Sequence, residues 1–164
     1  MKTPKGRNAV GVVALLILIG VLWSANFVGS TENKPLKGPA RFVLEHYEGI
    51  QRALAADSMT GIPESARTIA KAIRSDAGNT LPQTVAEEAE KLADAKDLKA
   101  ARRAFKPLSA SLIAWLEENQ VESSGYQEAY CPMADANWLQ REEKINNPYL
   151  GKKMLNCGEF DRHF

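Results

Sequence analysis

Histidine and cysteine are scarce in this chain, with two of each in 164 residues. His46 lies at the edge of an apolar face and His163 is one residue from the C-terminus. A nucleophile–base pair needs a rigidly held base, which a terminal histidine supplies poorly, so no enzyme is expected. A four-ligand structural zinc site is excluded for the same reason, and no Cys-x-x-Cys or His-x-x-His spacing occurs. Excess charge is also missing: the formal net charge is +1. No basic patch for nucleic acid follows from it. There is no GxGxxG, no P-loop, no strand–helix alternation and no long internal repeat.

Acids are absent from the first thirty residues, which carry only Lys2, Lys5 and Arg7 as strong bases. The apolar run over residues 9–28, AVGVVALLILIGVLWSANFV, follows them. Twenty residues at helical rise match the ~30 Å hydrocarbon core. The run is longer than the ~7–15 residues usual in a cleaved leader, and its small-residue cleavage site is poor. Residues 1–8 are therefore expected in the cytoplasm, 9–28 as a single-pass inner-membrane anchor, and 29–39 as a Pro/Gly-rich linker. The crowding of bases before the span places the remainder outside, in a periplasm or its equivalent. From Ser30 onward 18 Lys and Arg face all 20 Asp and Glu, a formal charge of −2.

Residues 40–119 carry four helical patterns. The first runs from about Pro39 to Ala56, with Phe42, Tyr47, Ile50 and Leu54 on one face. Ile62, Ala66, Ile69, Ala70 and Ile73 mark the second, with Pro63 in its first turn and Gly78 past its end. Thr80-Leu81-Pro82 opens the third, carrying Val85, Ala89 and Leu92. Asp97 is a candidate N-cap for the fourth, whose Leu98, Ala101, Phe105, Leu108, Leu112 and Trp115 keep a 3-4 spacing. Pro107 is expected to kink it. The fold class read from these patterns is all-α: a small antiparallel bundle of about four helices behind the membrane span. Residues 120–164 are expected to form an irregular lobe packed on the bundle, anchored by Tyr130, Trp138, Ile145, Tyr149 and Phe160. Within it Trp138-Leu139-Gln140 suits a short helix or strand, and residues 146–151 suit a turn.

That lobe holds both cysteines and two of the four methionines. Cys131-Pro132-Met133 places two sulfurs at i, i+2, on one side of an extended segment. Met154-Leu155-Asn156-Cys157 places two at i, i+3, on one side of a helical turn. Two thiols and two thioethers suit the soft ions Cu(I) and Ag(I), for which methionine is a good ligand. Cys131, Met133, Met154 and Cys157 are thus candidate metal ligands, with Lys152, Lys153 or Arg141 as candidates to offset thiolate charge. The alternative is a Cys131–Cys157 disulfide closing a loop of about 27 residues, worth ~3–4 kcal/mol on the chain-entropy model, with the methionines as core filling. Chemistry alone leaves both open.

Several stretches are familiar together. They are Tyr47-x-x-Ile50-Gln51-x-Ala53-Leu54-Ala55-Ala56-Asp57, then Asp97-Leu98-x-x-Ala101-x-x-Ala104-Phe105-x-x-Leu108-Ser109. Tyr130-Cys131-Pro132-Met133-Ala134, Trp138-Leu139-Gln140, Ile145-x-Asn147-Pro148-Tyr149-x-Gly151 and Met154-Leu155-x-Cys157-Gly158 complete the set. The exported part resembles a domain of unknown function found in bacterial envelope proteins, alone or attached to periplasmic adaptor subunits of copper and silver efflux pumps. The resemblance implies a role in handling Cu(I) or Ag(I), with an efflux adaptor or pump as partner. Nothing resembling the hairpin, lipoyl or barrel domains of a full adaptor is present. The competing expectation is a disulfide-stapled interaction module that docks an envelope or pump partner without metal.

Overall fold

Glycine at the left-handed Gly38 (φ 59°) turns the chain into a helix that begins on Pro39, whose fixed φ suits the first turn. The computed structural model describes Leu36, residues 38–122 and residues 124–164. The membrane span expected over residues 9–28 lies outside the described residues. Among the described residues, no helix is long and apolar enough to cross a membrane.

Four helices follow: α1 (Pro39–Ala55), α2 (Ile62–Ser75), α3 (Gln83–Ala93) and α4 (Leu98–Glu118). Asp97 caps α4, its carboxylate accepting from the Ala100 amide at 2.7 Å. The expected stripes are buried: Tyr47, Ile50 and Leu54 on α1, Ile62, Ala66, Ile69, Ala70 and Ile73 on α2, and Phe105, Leu108 and Leu112 on α4. Phe42 departs from its stripe and stands 43% exposed, edge-on to His46. Helix α4 runs through Pro107 as one element. The Trp115 indole N–H donates to the Thr80 carbonyl at 2.8 Å and ties α4 to the loop before α3.

The all-α expectation fails beyond Asn119. The C-terminal part contains three five-residue strands, β1 (Gln127–Cys131), β2 (Ala136–Gln140) and β3 (Glu159–His163), all antiparallel in the order β2-β1-β3. The fold is α+β. Cys131 faces Ala136 across the β1–β2 hairpin, and Tyr130 faces Glu159 across β1–β3. A register shift between Glu128 and Ala129 leaves Asp161 of β3 as an extra, unpaired residue in the β1–β3 ladder. Trp138-Leu139-Gln140 lies on β2 as strand, and a 3₁₀ turn over Gly151–Met154 precedes β3. The C-terminus is not frayed: His163 pairs with Gln127, and Phe164 is buried with its amide donating to the Tyr126 carbonyl at 2.8 Å.

Bundle and sheet share one apolar core that runs from Val43 and Leu44 through Phe105 and Leu108 to Trp138 and Tyr149. The Tyr47 and Phe105 rings stack at 4.8 Å between centroids. A buried polar knot joins the two layers at the same place. The hydroxyls of Tyr47 and Ser109 lie 2.7 Å apart, the Leu139 amide donates to the Tyr47 hydroxyl at 3.1 Å, and the Tyr149 hydroxyl donates to the Asn137 carbonyl at 2.6 Å. Burial pushes the Tyr47 and Tyr149 hydroxyls up, so both remain protonated donors.

Candidate functional site

The two cysteines, 26 positions apart in the chain, meet with their Sγ atoms 2.9 Å apart. Cys131 closes β1 and is 0% exposed, whereas Cys157 is partly exposed in the loop leading to β3. The hairpin between β1 and β2 is a four-residue turn over 132–135, so Cys131-Pro132-Met133 bends and is not the extended clip expected from its spacing. Bending turns the backbone amides of Met133 and Ala134 back toward the Cys131 sulfur. Burial alone would raise the Cys131 pKa. The hydrogen bond from Cys157, the two backbone amides and the Asn147 amide outweigh it and hold the thiol below its ordinary value. Cys157 moves the other way, raised by its hydrogen bond to Cys131, by burial and by the neighbouring charge. Of the two thiols, Cys131 is therefore the one that loses its proton more readily.

The methionines are placed unequally. Met133 projects from the hairpin turn with 64% exposure, although its backbone amide sits beside both sulfurs. Met154 ends the 3₁₀ turn, half-buried, three residues before Cys157. Met59 packs against the core. Among the described residues no three His, Cys, Asp or Glu side chains gather as a metal-binding group. The thioethers are the remaining sulfur donors in this part of the chain. Arg141 does not attend the thiols: its guanidinium lies 4.3 Å from the Tyr126 ring centroid and 3.6 Å from a Glu48 carboxylate oxygen.

Spacing arguments overlooked the residues that hold the second cysteine in place. Asn147 is fully buried; its side-chain amide donates to the Cys157 carbonyl at 2.6 Å, and its oxygen accepts from the Tyr149 and Leu150 amides at 2.8 and 2.9 Å. An asparagine before proline is a turn former of this kind, which was the available signal. Gln140, also fully buried, uses both ends of its amide: it accepts from the Trp138 indole and the Asn146 amide and donates to the carbonyls of Glu142 and Lys144. Arg102 on α4 donates to the carbonyls of Leu54 and Pro148 and pairs with Asp57 at 2.5 Å. The other Asp57 oxygen accepts from the Lys152 amide at 3.1 Å. Gly151 (φ 58°) passes so close to Asp57 and Arg102 that a side chain there would overlap both. Lys106 on α4 donates to the Ala134 carbonyl and fixes the hairpin turn.

Gly158 is a second tight point. Its φ of 142° and its approach to the Trp138 ring, 2.7 Å from where a Cβ would stand, leave no room for a side chain. Trp138, edge-on to Tyr149 at 6.0 Å, thus backs the loop that carries Cys157. The described arrangement is a two-sulfur site with one buried and one partly exposed thiol, and the backbone of Met133 and Met154 runs beside them.

No curated protein and no solved structure shows a significant match to the chain. A family model described as "Protein of unknown function (DUF3347)" matches residues 43–124, half of the sequence, covering the bundle and ending before both cysteines. The chain belongs to this DUF3347 family.

Proposed function

We propose that the chain is an exported soft-metal protein, held at the inner membrane with its folded part in the periplasm. In this reading Cys131, Met133, Met154 and Cys157 capture Cu(I) or Ag(I) for delivery to an efflux adaptor or pump. The contact between the Cys131 and Cys157 sulfurs carries the reading. Backbone amides directed at Cys131 favour a thiolate there, and thiolate is the form that binds metal. A thiolate–thioether set selects monovalent copper or silver over zinc, which prefers thiolate and imidazole. The envelope and efflux setting rests on the resemblance in the sulfur-bearing motifs and on the charge asymmetry of the N-terminus. The sulfur contact equally suits a second reading, a disulfide that staples an interaction module.

The two readings part on the thioethers. The reduced full chain is titrated with Cu(I) against a chromophoric competitor, alongside a variant carrying Met133→Leu and Met154→Leu. Those exchanges nearly conserve volume and should cost below ~1.5 kcal/mol per site. The parent should bind Cu(I), the variant markedly more weakly, and zinc poorly in both. No Cu(I) binding by the reduced parent refutes the metal reading. Unchanged copper affinity in the variant removes the methionines from the site and leaves a dithiol.

A further inference from the structure

We propose that Cys157 and Cys131 form a directional dithiol that exchanges with low-molecular-weight disulfides. Cys157 takes up the incoming sulfur and Cys131 expels it. Because oxidation consumes both thiols, metal capture is confined to the reduced state; that last consequence rests on the soft-metal reading above.

Access assigns the roles. Cys131 ends the central strand of the sheet, 0% exposed and part of the core. Cys157 is partly exposed, and its sulfur lies 2.9 Å from that of Cys131. The Cys157 loop cannot easily swing away, because its carbonyl is tied to buried Asn147 and Gly158 is wedged against Trp138 and the Tyr130 carbonyl. An external disulfide R–S–S–R therefore meets Cys157 from solvent. The Cys157 thiol gives its proton to water and its sulfur attacks. The R–S–S–R bond breaks, and R–S⁻ leaves to be protonated. The product is a mixed disulfide at Cys157. Cys131, already in contact on the protein side, loses its proton to water and attacks the Cys157 sulfur, and the second R–S⁻ leaves to be protonated. Two protein thiols are oxidised to one disulfide, and the reagent disulfide is reduced to two thiols. The two sulfurs already lie 2.9 Å apart before any oxidation.

The test uses the reduced full chain and oxidised glutathione, with acid quenching and intact-mass analysis over time. The parent should convert to the internal disulfide without accumulating a glutathione adduct. C131S should stop at a stable adduct on Cys157, and C157S should form adduct at least tenfold more slowly than C131S. Limiting iodoacetamide on the parent, read by peptide mapping, checks the same order without any substitution and should label Cys157 first. Labelling of Cys131 at an equal or greater rate overturns the proposal, as does C157S matching C131S or a parent that ends as a stable adduct. Cu(I) titration of the reduced and oxidised parent separates the two readings. Exchange without Cu(I) binding by the reduced form upholds the exchange and refutes the metal reading and the gating with it. Cu(I) binding by a dithiol inert to glutathione refutes the exchange alone.

Discussion

Replacing Asn147 by alanine tests whether the second cysteine is held by side-chain chemistry or merely by chain connectivity. Three hydrogen bonds to the backbone disappear, to the Cys157 carbonyl at 2.6 Å and from the Tyr149 and Leu150 amides at 2.8 and 2.9 Å. At about 0.5–1.5 kcal/mol each, they sum to roughly 1.5–4.5 kcal/mol. Asn147 is fully buried, so its partners lose their bonds without an easy route to water, which favours the upper half, about 3–4 kcal/mol. Urea unfolding followed by tryptophan fluorescence measures the loss, with Trp138 reporting from the site itself. Asn147→Asp sharpens the test. It keeps the acceptor for the two amides but sets a carboxylate oxygen against the Cys157 carbonyl. Its penalty should therefore shrink on acidification, when the protonated acid can donate. Iodoacetamide labelling of Cys131 should also quicken in both variants as the Cys157 loop loosens. Stability within about 0.5 kcal/mol of the parent for both, the range of ordinary surface changes, would refute the argument.

Phe105→Ala should cost ~3–5 kcal/mol in the same urea assay, because the ring is 0% exposed and stacks on Tyr47 while reaching toward Tyr149; a loss near zero would mean the α4 stripe faces no core. Glu128 supplies a pH dependence. Burial raises its pKa above the usual 4.5, against the opposing pull of its Asn137 hydrogen bond and of Arg162. The folded chain therefore binds this proton more tightly than the unfolded chain. Its contribution to stability is full below the ordinary carboxyl value and is lost as pH rises through the raised one. Glu128→Gln should gain stability relative to the parent between about pH 4 and 7, seen as a growing difference in urea midpoint; a pH-independent difference would contradict it.

The helices were legible because each buries one face. In α2 the buried set is Ile62, Ala66, Ile69, Ala70 and Ile73, a single stripe that announces its period. The strands were not legible because β1 is covered on both sides. Glu128 and Ala129, adjacent in sequence, are both buried, so the alternation that marks a half-exposed strand is erased. Five-residue strands rich in polar residues add little propensity of their own. The proximity of the two cysteines was legible, since Cys131 and Cys157 do meet. Their scaffold was not, because Asn147, Arg102 and Asp57 act through backbone carbonyls and amides that leave no spacing in the sequence.

That scaffold explains why a pair of sulfurs sits on a whole bundle. On the proposed metal reading, a short loop with two sulfurs would spend much of its binding free energy on ordering itself, whereas a preset pair avoids that loss. Here the ordering comes from the helices. Gln51 on α1 donates to the Asn146 carbonyl at 2.6 Å, and Tyr47 on the same helix accepts from the Leu139 amide. Arg102 on α4 grips Pro148, and Lys106, one turn on, grips the hairpin turn at Ala134. The two halves of the dithiol are thus fastened separately, Cys131 through its hairpin to α4 and Cys157 through Asn147 and the 3₁₀ turn to α1, Asp57 and α4. The family match ends before either cysteine, yet the residues that fasten them, Tyr47, Gln51, Asp57, Arg102 and Lys106, all lie inside it. The bundle is therefore the part of the site that contributes no sulfur, and substitutions along the inner faces of α1 and α4 should change thiol reactivity from a distance without touching the thiols.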